Sequence, residues 1–173
     1  MQRTHVLLAS IVLLMVAVCT QAQDQDLLAW WKFDDGTGTI AVDSSGNGND
    51  GVFIQDPEWV AGKFGSGLLF DGQGGERVSL GGLDIPSGAM TIACWFKANN
   101  LDTPGQDPRM VSKAFGGGNN DHIWMFSSSR IGSDKFLRFR LKTNDGQQTS
   151  EIKAGTFEVG EWIHGAVWWD GTD

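Results

Sequence analysis

Between Trp30 and Asp71 the chain reads WWKFDDGTGTIAVDSSGNGNDGVFIQDPEWVAGKFGSGLLFD, a series of short aromatic and β-branched runs separated by clusters of Gly, Asn and Asp. Aromatic and β-branched side chains suit a pleated, half-buried surface, and Gly, Asn and Asp reverse the chain tightly. The segment therefore predicts sheet. The rest of the chain agrees, because apolar and polar residues alternate with period two over Ile92–Ala98, Arg109–Ala114, His122–Ser127, Phe136–Lys142 and Trp162–Trp169. No long apolar stripe of period 3.6 is present. The 24 glycines against 4 prolines are spread among turns and not gathered into a linker. Strands at roughly ten-residue spacing with turns between them predict an all-β fold, an antiparallel two-sheet sandwich.

Three pieces of this region occur in an ordered set: Trp31–Gly38 (WKFDDGTG), Asp43–Gly51 (DSSGNGNDG) and Gly62–Gly72 (GKFGSGLLFDG). In that order they resemble the amino-terminal strands of the laminin-G-like jelly-roll domains, the concanavalin A-like lectin/glucanase group. A weaker likeness continues through Met90–Ala98 (MTIACWFKA) and Trp162–Thr172 (WIHGAVWWDGT). The resemblance implies a jelly-roll sandwich over residues 23–173. It departs at Gly165 and Ala166, where relatives carry bulkier residues, and a strand glycine can mark a bend.

Residues 1–22 have a basic start at Arg3, an apolar run from Val6 to Val18 and small residues at Thr20 and Ala22, the pattern of a secretory signal peptide cut after Ala22. The apolar run is shorter than the ~20 residues a membrane-crossing helix needs, so no membrane span is expected after cleavage. A lipoprotein signal is the rival reading because Cys19 ends Val-Ala-Val-Cys, although Val18 fits such a site poorly. The expected location is secreted or extracytoplasmic, in the periplasm or at the cell surface. Net charge is −8, and loss of Arg3 with the leader makes it more negative. A chain so acidic repels phosphate backbones, which argues against nucleic acid as a partner.

Cys94 is then the sole cysteine and cannot form an internal disulfide. With Ile92 and Phe96 it lies on one face of an alternating run, as a small core residue would. At the other end, Asp170–Asp173 begins a hairpin turn after the Trp162–Trp169 strand. In the resembled family further strands follow such a turn, so the chain is expected to be an incomplete sandwich, part of a longer protein and poorly stable alone.

Several chemistries fall away. Gly46, Gly48 and Gly51 satisfy G-x-G-x-x-G, but Val52, Phe53 and Ile54 follow as strand where a dinucleotide fold needs a helix. Gly62–Gly67 lacks the Gly-Lys-Ser/Thr of a phosphate loop. His5, His122 and His164 lie too far apart for zinc spacing. A glycosidase needs two carboxylates set across one cleft, and the Glu-x-Asp-x-x-Glu strand of the catalytic relatives is absent. Glu158 and Glu161 bracket Gly160 as turn charges. The chain is read as a non-enzyme.

Calcium has a better pattern. Asp43, Ser45, Asn47, Gly48 and Asn49 place oxygen-bearing side chains at alternate positions with a glycine at the turn, as in the first half of a calcium loop. Ile54 stands where an EF-hand needs its bidentate acid, so a helix-flanked site is excluded. The family resemblance places the corner at Asp34 and Asp35 near the calcium site of many relatives, giving Asp34, Asp43, Asn47 and Asn49 as the candidate ligands. The alternative is that Asp43 and Asn47 close a turn through bonds to their own backbone.

Eight tryptophans accompany no tyrosine. Indole rings can stack on the apolar faces of sugars while polar groups take the hydroxyls. Period two puts Trp162, His164 and Trp168 on one face of their strand, and Trp95 and Lys97 opposite Ile92, Cys94 and Phe96. Trp95, Trp124, His164 and Trp168 are accordingly the candidate ligand-binding residues, with core packing as the alternative for each. Arg138, Arg140 and Lys142 form a basic stripe that suits either an acidic polysaccharide or a solvated sheet face. The expected function is calcium-assisted recognition of a glycan or a surface protein by a secreted, non-catalytic module. The alternatives are an accessory domain of a larger secreted glycoside hydrolase or other polysaccharide-active enzyme, and a structural module of an adhesin.

Overall fold

The computed structural model describes residues 26–72, 75–85, 88–101, 108–116, 122–143 and 148–172, the side chains of 143 and 148–150 excepted. The signal peptide read at residues 1–22, with Cys19, lies outside the described residues. Within them the chain forms β1 (Ile40–Ala41), β2 (Gly51–Ile54), β3 (Glu58–Ala61), β4 (Ser66–Leu69), β5 (Arg77–Ser79), β6 (Met90–Lys97), β7 (Arg109–Ala114), β8 (His122–Ile131), β9 (Asp134–Thr143), β10 (Gln148–Thr156) and β11 (Trp162–Trp169). All pairings are antiparallel, in the orders β1-β2-β5, β3-β4, β10-β9-β8-β7 and β11-β6. No described residue is helical, and no helix long and apolar enough to cross a membrane occurs among them.

The core lies where β6 and β11 cover β8 and β9. Phe126, Phe139 and Leu141 are buried at its centre, and Met90, Ile92, Cys94, Val167 and Trp169 from the facing layer pack on them. These are the alternate residues of each strand, so the period-two pattern became two apolar faces pressed together. Fully burying a side chain such as Phe126 contributes roughly 1.5–3 kcal/mol. Phe157 extends the core past β10, with its ring edge-on to Phe96 at 5.3 Å.

The strand pairing in doubt at Gly165 is regular. Register runs without a shift from Trp162 opposite Lys97 to Trp169 opposite Met90, with Gly165 facing Cys94 and Ala166 facing Ala93. Gly165 marks a close approach and not a bend.

One local expectation needs correction. The stretch from Trp31 to Phe33 contributes a single bridge, Trp31 with Asp43, and no named strand, because Phe33 turns to a φ of 57° and breaks the extension. β10 carries no clear period-two apolar pattern in its sequence. Its core-facing side offers only Ile152 and Ala154, with Ile152 still 64% exposed, so the apolar signal is too thin to read.

The β3-β4 hairpin is tied to both neighbours. Trp59 donates from Nε1 to the Gly38 carbonyl at 2.9 Å and stands 5.4 Å from the Phe53 ring on β2. Its tip closes through Gly62 N–H to the Gly65 carbonyl at 3.0 Å, and Gly65 takes a φ of +64° that a side-chain-bearing residue would resist. This tip carries Lys63 and Phe64 toward β6.

Candidate functional site

The outward side of the β6-β11 pair carries Thr91, Ala93, Trp95 and Lys97 facing Trp168, Ala166, His164 and Trp162 in order. Because the inner side is committed to the core, these residues must face away from it. Trp95 is 43% exposed and Trp168 76% exposed, both high for indole side chains on a paired sheet.

Trp95 is held by its surroundings. The His164 imidazole, its direct cross-strand partner, lies 5.1 Å away at an interplanar angle of 35°. Phe64 from the hairpin tip meets the indole edge-on at 5.7 Å. Lys63 Nζ stands 5.2 Å from the Trp95 centroid and 5.9 Å from that of Phe64, within cation–π range. Further along, Lys97 Nζ lies 5.4 Å from the Trp162 ring. The result is an aromatic cluster with Phe64 standing edge-on at one side and two lysines, Lys63 and Lys97, beside its rings.

Of the four residues read as ligand-binding, Trp95, His164 and Trp168 share this face. Trp124 does not. It lies two residues from Phe126 on β8, hence on the same inward face, and packs against the core cluster. Alternation alone makes Trp124 and Trp95 look alike, since it separates two faces without saying which one the second sheet covers. Lys63 and Phe64 were missed by sequence reasoning. A large apolar residue between Gly62 and Gly65 in a turn was the available signal, and only the fold reveals what it meets.

Arg138 and Arg140 of the basic stripe on β9 share one carboxylate with Lys153, and Lys142 Nζ lies 5.7 Å from the Phe115 ring. Glu151 on β10 takes Lys153 at 2.7 Å, Arg140 at 3.4 Å and Arg138 at 3.8 Å, while Arg138 Nε donates to Ser127 Oγ at 3.1 Å. Arg138 is buried.

The Asp43 corner is a dense knot of hydrogen bonds. Asp43 Oδ1 accepts from the backbone N–H of Trp30 and Ser45, both at 2.9 Å, and Oδ2 accepts from Ser45 Oγ at 2.8 Å and Asn49 N–H at 2.9 Å. The Asn47 side-chain amide donates to the Leu27 and Leu28 carbonyls at 2.7 and 3.1 Å, and that of Asn49 donates to Leu28 at 2.9 Å. Trp31 Nε1 donates to the Asn49 carbonyl at 2.8 Å. Burial pushes the Asp43 carboxyl upward in pKa, but the backbone donors of Trp30, Ser45 and Asn49 and the Ser45 hydroxyl outweigh it and bring the value down to about 2.

This arrangement does not fit a calcium ion on Asp34, Asp43, Asn47 and Asn49. Both Asp43 oxygens already receive two donors each. A cation requires those lone pairs, and the two asparagines direct N–H groups at carbonyls instead. Asp34 is outside that network, with Oδ1 so close to Gly65 that an added Cβ there would stand 2.8 Å from it. No cluster of three or more His, Cys, Asp or Glu suited to a metal occurs among the described residues.

Glu158 and Glu161 are exposed around the turn at Gly160, whose N–H donates to the Ala98 carbonyl at 2.8 Å. Cys94 packs on the core, and burial pushes its thiol up to about 11.

No curated protein and no solved structure matches the chain. Residues 71–173 match a laminin-G family described as the concanavalin A-like lectin/glucanases superfamily. The match begins where the three amino-terminal motifs end, and it includes both strands of the aromatic cluster. An all-β fold with antiparallel layers packed face to face, together with a family match over more than half of its length, places this chain in the concanavalin A-like lectin/glucanases superfamily.

Proposed function

We propose that the chain is a secreted, non-catalytic binding module that takes a glycan on the outward face of β6 and β11. The observation that carries this reading is the pairing of Trp95 with His164 beside Phe64, on the same face as the still more exposed Trp168. Indoles left in water forgo the stabilisation of burial, and a flat ring held rigid by neighbours loses little conformational freedom when a sugar stacks on it. Domains of this family are carbohydrate- or partner-binding modules and are typically extracellular, which supports both parts of the reading. Glu158 and Glu161, on an exposed turn, are not set across a cleft as glycosidase carboxylates are, which supports a non-catalytic role. Recognition is not routed through a cation, since the Asp43 carboxylate is engaged by the chain's own donors.

The test is a glycan array probed with the full chain and with Trp95→Ala and Trp168→Ala, each with and without a chelator. Retention of one glycan class that both substitutions weaken, and that the chelator leaves alone, is expected. Retention unchanged by either substitution, or no retained glycan, overturns the reading.

A further inference from the structure

The side of the β10-β9-β8-β7 sheet turned away from the core carries a surplus of positive charge in a chain whose net charge is −8. Phe126, Phe139 and Leu141 face the core, so alternation turns Met125 and Ser127 of β8, Arg138, Arg140 and Lys142 of β9, and Glu151 and Lys153 of β10 the other way. Register sets Met125, Arg140 and Glu151 in one row across the sheet and Ser127, Arg138 and Lys153 in the next. Glu151 is the only acid in these rows. β7 adds Arg109 opposite Ser127, whereas its Lys113, opposite the inward Trp124, is taken up by Asp84 at 2.6 Å. Asp134, the next acid along β9, is four residues from Arg138, a span of ~13 Å.

One carboxylate does not neutralise three cations. Glu151 Oε1 holds Lys153 Nζ at 2.7 Å, but Oε2 lies 3.4 Å from Arg140 Nε and 3.8 Å from Arg138 Nη1. Arg140 Nε is buried and makes no hydrogen bond. Positive groups taken partly out of water with half their counter-charge missing lose hydration without a full Coulombic return. Depth is graded across the cluster. The Arg138 side chain is 7% exposed and fixed by its bond to Ser127 Oγ, while those of Arg140 and Lys153, at 23% and 33%, reach solvent above it.

We propose that this face binds one tetrahedral oxyanion, a sulfate or phosphate group, over Arg140 and Lys153 with Arg138 beneath. A carboxylate offers two oxygens in one plane, and Glu151 reaches only Lys153 closely. A tetrahedral group can turn oxygens toward all three cations, and guanidinium groups match its geometry. The group is either a free inorganic anion or an ester carried on a polymer. The site lies across the core from Trp95 and Trp168 and does not depend on the glycan reading of that face.

Isothermal titration of the full chain tests this with inorganic phosphate and inorganic sulfate against chloride at matched ionic strength, and with dextran sulfate against dextran. Binding of phosphate, sulfate or dextran sulfate is expected, with none of chloride or dextran. Arg140→Met and Lys153→Met should each weaken it about tenfold, and Trp95→Ala should leave it unchanged. Glu151→Gln removes the resident competitor and should tighten binding about tenfold. Where that substitution lowers the melting temperature, the anion should raise it by more than it raises that of the parent chain.

A purely structural ion network behaves otherwise: Glu151→Gln loses stability that no anion restores, and this result overturns the proposal. Equal response to chloride and to every oxyanion overturns it too, as does binding that both Arg140→Met and Lys153→Met leave intact. Binding of inorganic phosphate or sulfate upholds the site for a free anion, and binding confined to dextran sulfate upholds it for an ester on a polymer.

Discussion

Gly165 on β11 lies directly against the Phe126 ring on β8: a Cβ built on it would stand 2.9 Å from Phe126 Cζ and 3.2 Å from Leu137 Cδ1. The missing side chain lets the β6-β11 layer sit down on the fully buried ring at the centre of the core. Gly165→Ala is therefore expected to lower stability by about 1–3 kcal/mol through overpacking. In urea unfolding, Phe126→Leu should cost less in the Gly165→Ala background than alone, because the two sites share one space. Additive costs would mean that the contact is not what excludes a side chain at 165.

Asp43 couples the corner to pH. Its folded value of about 2 lies below the ordinary 3.8, so the carboxylate's contribution is present above the ordinary value and is lost as pH falls through about 2. The difference corresponds to a contribution on the order of 2 kcal/mol at neutral pH. Denaturant midpoints measured from pH 6 downward should fall across that acid window. Asp43→Asn should start lower and show a flatter profile, because its amide cannot accept from all four donors. An unchanged slope would remove Asp43 from the acid response.

Calcium is expected to leave the fold unmoved. An ion that bound the folded chain would raise its melting temperature in proportion to concentration. With the Asp43 oxygens engaged by Trp30, Ser45 and Asn49, differential scanning with millimolar calcium and with chelator should give superimposable transitions. A reproducible upward shift with calcium, lost in Asp43→Asn, would reinstate the metal.

Cys94 should be inert while the sandwich is closed. With the thiol pushed up to about 11 by burial, little thiolate exists near neutral pH. Thiol-reactive dye at pH 8 is expected to label the chain only as denaturant opens it, with a midpoint that follows the loss of tryptophan signal. Labelling at the rate of a free cysteine in native conditions would contradict the packing of Ile92, Cys94 and Val167 on the core.

What the sequence determined by itself was periodicity. Ile92, Cys94 and Phe96 opposite Trp95 and Lys97, and Val167 and Trp169 opposite His164 and Trp168, follow from the two-residue repeat of a strand, which needs no partner to be read. Glycine and asparagine clusters likewise announced the corners. Tertiary structure decided which of two faces met the second layer, and so separated Trp124 in the core from Trp95 at the surface although both alternate. It also brought Phe64 to Trp95 and Leu28 to Asn49, contacts between residues remote in the chain that no local pattern encodes. At Asp43 the oxygen spacing suited an ion or a turn equally. The hydrogen bonds there are those of a turn, one of them supplied by the Trp30 segment, which arrives from elsewhere in the chain.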